Sequence, residues 1–330
     1  MSYGLSQGGI NVLGGIDINS ECEATYTANI KDAIYVCKDV FELREEDLDT
    51  YFAIEKNDDN MVFVGCSPCQ YWSIIQTDKT KSARSKNLLQ EFERFVSYYR
   101  PGYVLVENVP GILRKSEESG FDAFVDHLEK MDYAVHFEVV NMNEYGVPQA
   151  RKRLSLVANR VLGKTIFPKK IKGRPTVKDA IKNMPIIREG KQDNSPFFHS
   201  CAGLSEKNKL RLKNTKKNGG SWTDWAQVDG LQRQSYKGSG FRDNYGRMSW
   251  DKPAPTITTR FYSISNGRFG HPTQTRAISI REGARLQSFP DTFVFEVSSM
   301  AQAAQIIGNA VPPRYAQCLA KAIIEASCNE

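Results

Sequence analysis

Two periodicities alternate along the first half of the chain. Residues 11–17 (NVLGGID) form a β-rich run that ends on an acid, and residues 61–65 (MVFVG) and 103–109 (YVLVENV) are apolar enough for buried strands. Between the last two, Leu88, Leu89, Phe92, Phe95, Val96 and Tyr99 recur at helical spacing, and Pro101-Gly102 ends that helix. A second helical stripe, Phe121, Phe124, Val125, Leu128 and Met131, precedes strand-like runs at 133–140 and 154–158. Strand–helix alternation of this kind predicts an α/β fold with a parallel sheet covered on both faces. Ligands of such sheets sit beyond the carboxyl ends of the strands. Asp17, the SPCQ turn (67–70) and the ENV turn (107–109) occupy three such ends.

The pattern changes near residue 165. From there to about 270 the chain is rich in Lys, Asn, Ser and Gly, with few long apolar stripes, which predicts a smaller polar unit. Asn266-Gly267, set between FYSIS and RF, carries the signal of a type I′ hairpin turn. Helical patterning returns at 279–289, and a last helix follows Pro312-Pro313 with Tyr315, Cys318, Leu319 and Ile323 on one face. No internal repeat or long low-complexity tract interrupts the chain.

Charge sharpens the picture of the polar unit. The whole chain carries a net charge of +6, and residues 201–250 alone account for that excess. Three of the four tryptophans, Trp222, Trp225 and Trp250, fall in the same stretch. A solvated basic loop region would look like this, and so would a phosphate-contacting face with aromatics that meet bases. No apolar run is long enough to span a membrane, and the N-terminus lacks the features of a secretory signal.

Seven cysteines without regular spacing fit reduced thiols in a cytoplasmic protein. One Cys-x-x-Cys, Cys66 and Cys69, and four scattered histidines do not assemble a four-ligand zinc site, so no metal is expected. Taken alone, that pair could be a redox couple, half a metal site, or a nucleophile with a bystander. Glu107 alone could cap the next element, Asn108 could hold a turn, and Arg151 and Arg153 could be surface charges on an alternating strand.

Read together and in order, five stretches change these odds: Pro68-Cys69-Gln70, Glu107-Asn108-Val109, Gln149-x-Arg151-x-Arg153, REGARLQSFPD (281–291) and GNAVP (308–312). They resemble the motifs of the DNA cytosine-5 methyltransferases, especially the bacterial restriction–modification type, over nearly the whole chain apart from the variable stretch. The resemblance implies a Rossmann-like class I methyltransferase sheet with helices on both faces, built from residues 1–169 and 272–330. Residues 170–271 would then be a smaller, mostly irregular and β target-recognition domain.

The chemistry that the resemblance implies accounts for the residue types. Cytosine C5 is a poor nucleophile, and a thiolate adding to C6 makes it enamine-like and able to take a methyl group. Cys69 would be that nucleophile. Glu107 would sit at N3 and read the exocyclic amino group. Arg153, with Arg151 nearby, would hold the O2 edge or flanking phosphates, with Gln149 ordering the cluster. The base must be flipped out of the duplex. The methyl donor would be S-adenosylmethionine, with Asp17 at its ribose, Ile18 and the Asp39-Val40 pair at its adenine, and Pro68, Leu88 and Asn309 at further contacts. Double-stranded DNA is the implied partner of an expected monomer in a bacterial or phage-encoded, nucleoid-associated setting, and such systems often include a cognate restriction endonuclease. The alternatives are an RNA (tRNA) cytosine-5 methyltransferase, whose recognition segment is usually smaller, and a catalytically inactive DNA-binding relative.

One part of the family pattern is missing. The family opens with a strand and a Phe-x-Gly-x-Gly loop around the cofactor, whereas MSYGLSQGGINVLGGID resembles the helix and second strand that come after that loop. Gly8, Gly9, Gly14 and Gly15 do not replace it, because they precede and occupy a strand instead of joining one to a helix. The expectation is that a longer form is the working enzyme, in preference to a relative that has lost activity. Without that strand, strand edges near the sheet centre should be exposed.

Overall fold

The computed structural model describes residues 1–66, 87–231 and 243–328. Its first half holds six strands, β1 (Gly14–Asp17), β2 (Ile34–Cys37), β3 (Val62–Gly65), β4 (Tyr103–Asn108), β5 (Ala134–Asn141) and β6 (Lys152–Asn159). Helices α1 (Ser2–Gln7), α2 (Glu23–Asn29), α3 (Asp47–Phe52), α4 (Leu88–Tyr99), α5 (Ser116–Ser119) and α6 (Phe121–Lys130) intervene. The second half adds α7 (Val177–Ile181), α8 (Glu206–Asn214), α9 (Ile280–Leu286), α10 (Met300–Asn309) and α11 (Pro313–Ser327).

The strands form two sheets. β1 and β2 pair in parallel, and a four-stranded sheet runs in the order β3-β4-β6-β5. Only β3 and β4 are parallel there, since β6 is antiparallel to both of its neighbours. The expected all-parallel sheet is therefore mixed. The reason lies in the connection from β5 to β6, which is too short for a crossover and suits an antiparallel return. β4 is buried along its whole length, with an apolar run over Tyr103–Val106 followed by the buried polar pair Glu107 and Asn108. The 11–17 run becomes a strand only from Gly14, and β2 is a strand that the hydrophobic pattern did not single out.

The helical stripes are realised almost as spaced. α4 buries Leu89, Phe95, Val96 and Tyr99 and ends at Arg100 in the left-handed region (φ 47°), just before Pro101. α9 starts in a capping box between Ser279 and Glu282. One side of the four-stranded sheet packs on α6 through Val104, Val106, Leu154, Phe121, Phe124 and Leu128. The other side meets α1 and α11 through Leu5, Leu105, Val157, Leu319 and Ile323.

The expected hairpin at Asn266-Gly267 is absent. Ile264–Asn266 is a short 3-10 turn, and Phe261, Ile264 and Phe269 are buried. Side chains spaced three and five apart fill the interior from a coiled path, and that packing outweighs the local turn signal. In the same region α7, Met248, Ile257 and Phe261 share one apolar cluster with Ile280, Leu286 and Ile307 of the closing helices. No helix among the described residues is long and apolar enough to cross a membrane.

Candidate active site

Glu107 lies at the carboxyl end of β4, opposite Ser155 of the antiparallel β6. Arg153 is two residues from Ser155, so its side chain emerges on the same face as Glu107. The two meet, with Arg153 Nε 3.3 Å from Glu107 Oε1. Glu107 is buried, and its Oε1 accepts no hydrogen bond from the described residues. A buried carboxylate oxygen left in this state is unusual and needs a reason. Behind it, Tyr315 donates to Ser155 Oγ at 2.7 Å, fixing α11 against the strand.

β3 runs parallel to β4, and Cys66 follows its last residue. The residue keeps some exposed surface, but its thiol is crowded by protein atoms. That desolvation, with the Glu107 carboxylate second, pushes the Cys66 thiol up to about 12. Such a thiol is essentially all protonated at neutral pH and is a poor nucleophile. Cys69 and Pro68 follow in the same segment and lie outside the described residues.

Gln149 and Arg151 take a different place from Arg153. Both are buried. Gln149 Oε1 accepts from Ile257 N at 2.8 Å, and its Nε2 donates to Gln287 Oε1. Gln287 Nε2 in turn donates to the carbonyls of Ile307 and Ala310 at 3.1 and 2.8 Å. Arg151 Nη1 donates to Ile257 O and Gly308 O at 3.2 and 3.3 Å. The stretches QARKR, REGARLQSFPD and GNAVP, far apart in sequence, thus form one hydrogen-bonded unit beneath the β6 end. Gln287 was visible in the sequence only as part of its motif, and nothing in the spacing singled it out.

The C-5 cytosine-specific DNA methylase family matches residues 1–325. The chain belongs to that family. It is 34% identical to the Type II methylase M.HgiDII of Herpetosiphon aurantiacus over 334 residues, spanning 98% of this chain and 91% of that one. It is 30% identical over 332 residues to the Type II methyltransferase M1.HphI of Haemophilus parahaemolyticus, spanning all of this chain and 85% of that one. Among solved structures, a putative DNA modification methyltransferase encoded within an E. coli prophage superposes with a TM-score of 0.74 at 23% identity, covering 100% of this chain and 96% of that one. Spodoptera frugiperda DNMT2 superposes at 0.62 and 15% identity, covering 98% and 95%. These two likenesses establish the Rossmann-like methyltransferase fold.

The remaining candidates of this methylase divide by place. Asp17 ends β1 beside Cys37, and its Oδ1 accepts from Asn19 N at 2.9 Å. Ile18 follows with 67% of its surface exposed. Asp39 caps the short turn Val40–Glu42 by accepting from Phe41 N, and Val40 packs toward the cluster of Leu43, Phe95 and Tyr99. Two acids on neighbouring strand ends, beside an apolar side chain open to solvent, suit a nucleoside. The acids offer acceptors to ribose hydroxyls, and the apolar side chain offers a face to a base. Leu88 opens α4 half-buried, and Asn309 closes α10 exposed. Among the described residues no group of His, Cys, Asp or Glu could hold a metal ion.

The basic segment is less uniformly a DNA-facing surface than its charge suggests. Lys209 is held by Glu189 at 2.7 Å and Glu206 at 2.8 Å. Arg211 is buried, stacked over Trp225 and Tyr245. Arg247 is buried and donates to the carbonyls of Leu212, Thr215, His271 and Gln274. Trp225 is wholly buried with its indole N–H on Thr215 Oγ1, and Trp250 packs on His271. Trp225 is thus a packing residue and not a surface aromatic, while Trp250 is partly buried against the cluster of Met248 and Ile257. Lys207, Lys213, Lys216 and Lys217 are the described cations of 201–250 that stay exposed.

Proposed function

We propose that this methylase transfers a methyl group from S-adenosylmethionine to C5 of a cytosine flipped out of duplex DNA, through a covalent bond between Cys69 and C6. The observation that supports it best is the buried Glu107 carboxylate, with an oxygen that accepts no hydrogen bond from the described residues and a guanidinium at its side. A cytosine placed there would donate its amino group to the carboxylate, and its N3 would accept from that carboxyl once it is protonated. Glu107 shares a proton with N3 as negative charge develops during addition at C6. Arg153 holds the carboxylate in position and offers its remaining donors to the O2 edge. Gln149 and Arg151 act one step away, by fixing the end of β6 against the closing helices.

When bound, S-adenosylmethionine supplies an electrophilic methyl group. Asp17, Ile18, Asp39 and Val40 would hold its adenosine half, with Leu88, Pro68 and Asn309 as further contacts. The exposed lysines 207, 213, 216 and 217 place positive charge on residues 170–271, the target-recognition domain of this reading, which would bind DNA phosphates while neighbouring side chains read bases. The working unit of this reading is a monomer on DNA, and a restriction endonuclease of matching specificity fits the same system. Transfer of tritiated methyl from S-adenosylmethionine onto duplex DNA tests the reading. Label that enters tRNA and not DNA would overturn it.

A further inference from the structure

The four-stranded sheet ends on β5, which among the described residues pairs with β6 alone. At eight residues it leaves a long open edge. Met142 N donates to Arg151 O at 2.9 Å, and with the register of the two strands this puts the even-numbered residues of β5 in hydrogen-bonded pairs with β6. Val135, Phe137 and Val139 therefore turn their N–H and C=O groups outward, where no described residue bonds to them. Their side chains share the face that carries α6. Phe137 meets Phe121 edge-on at 5.0 Å, yet 40% of it is exposed, and Val139 is 43% exposed. His136 and Glu138 alternate with them on the other face, both half-buried. His136 rests on the Phe167 ring at 4.7 Å, and Glu138 Oε1 accepts from the Tyr145 hydroxyl at 3.3 Å.

A long edge strand with exposed apolar side chains is a template for another strand. The order of side chains along β5 decides which strand fits, because it is self-complementary about Phe137. We propose that this edge pairs with the same edge of a second copy of the chain, antiparallel, about a two-fold axis at Phe137. Phe137 then faces its own counterpart, and Val135 faces Val139 of the second copy. Each of these pairs exchanges two backbone hydrogen bonds through the groups that point outward. On the other face His136 lies opposite Glu138 of the second copy, twice over, where an imidazole N–H can donate to the carboxylate. Moving the axis by one residue sets His136 against His136 or Glu138 against Glu138, so charge complementarity selects the register. The two sheets would join into one. Since β5 and β4 are both antiparallel to β6, the Glu107 ends of the two copies point in opposite directions. Each copy thus keeps its own site, and transfer by a single copy on DNA is compatible with the pairing.

This inference does not depend on the methyl-transfer reading, and its test reads no activity. Sedimentation velocity of the full chain is measured without DNA, with reductant to keep the exposed Cys37 and Cys328 from cross-linking. The expected result is a monomer–dimer equilibrium at micromolar concentration. His136→Glu sets acid against acid across the axis, and Glu138→Lys sets an ammonium against the imidazole, so each should raise the dimer Kd about tenfold or more. An equimolar mixture of the two variants should pair about as tightly as the unsubstituted chain. In that mixture the introduced carboxylate faces the introduced ammonium, and the original Glu138 faces the original His136. In the unsubstituted chain the amides of Val135, Phe137 and Val139 should also exchange with solvent more slowly as protein concentration rises. A monomer at every concentration would overturn the proposal, as would a dimer indifferent to both substitutions. So would folded variants that fail to pair when mixed, or exchange at those three amides that does not change with concentration.

Discussion

Arg153 Nε stands 3.3 Å from Glu107 Oε1, across neighbouring antiparallel strands, and that oxygen accepts no hydrogen bond from the described residues. If the carboxylate serves cytosine N3, Glu107→Gln should cut methyl transfer about a hundred- to ten-thousand-fold, the range of a lost acid–base group. Arg153→Lys should restore only part of what Arg153→Ala loses, because a single ammonium cannot hold the carboxylate and the O2 edge together. Single-turnover rates, with folding checked by circular dichroism, measure both.

Gln149 and Gln287 make a stability prediction that differs in kind. Removing Gln149 leaves Ile257 N and Gln287 Oε1 without partners inside the protein. Gln149→Ala and Arg151→Ala should each lower unfolding free energy by about 1–3 kcal/mol, the cost of stranding buried polar groups. Urea denaturation checks this. The double variant Gln149→Ala/Gln287→Ala should lose less than the sum of the singles, since both belong to one network.

The exposed lysines should behave unlike the paired one. Replacing Lys213, Lys216 or Lys217 by Ala should weaken DNA binding evenly across sequences. Each lost phosphate contact should reduce the slope of log K against log salt by about 1. Lys209→Ala should leave the slope nearly unchanged, because Glu189 and Glu206 already neutralise that ammonium. Fluorescence anisotropy over a salt series separates the two classes.

A pH dependence of stability comes from His271. Its ring is buried beside the Arg276–Glu282 pair, with Nε2 3.7 Å from Glu282 Oε1, and burial holds its pKa at about 4, against 6.5 for an unburied ring. The unfolded chain takes up a proton here below about pH 6.5 that the folded chain refuses until about pH 4. Stability should therefore be constant with respect to this group above pH 6.5 and fall between 6.5 and 4, by on the order of 3 kcal/mol. Glu282, held below its usual value chiefly by Arg276 against the opposing effect of burial, loses its contribution only at more acid pH. Urea midpoints at pH 7.5, 5.5 and 4.5 should show the fall, and His271→Gln should flatten it.

Much of the fold was legible because it rests on local periodicity. The stripes of α4 and α6 and the apolar run of β4 fix burial without distant partners. The direction of β6 was not legible, because it depends on how short the return from β5 is and not on any residue within the strand. The hairpin expected at Asn266-Gly267 failed for a related reason, since Phe261, Ile264 and Phe269 pack into the interior from a coiled path. Within the site, Glu107 and Arg153 lie side by side across neighbouring strands. The same reasoning could not separate Arg153 from Arg151, two residues away, because only the tertiary structure puts Ile257 and Gly308 carbonyls above Arg151. Charge counting likewise could not show that Arg211 and Arg247 are internal.

The covalent step can be tested without the methyl donor. Addition of a thiolate to C6 makes C5 enamine-like, so the hydrogen at C5 should exchange with solvent. Duplex DNA carrying [5-³H]cytosine should therefore release tritium to water when incubated with the protein. The release should vanish with Cys69→Ser and persist with Cys66→Ala, whose thiol is held protonated. Release that survives Cys69→Ser, or that is lost with Cys66→Ala in a folded protein, would contradict the assignment of Cys69 as the nucleophile.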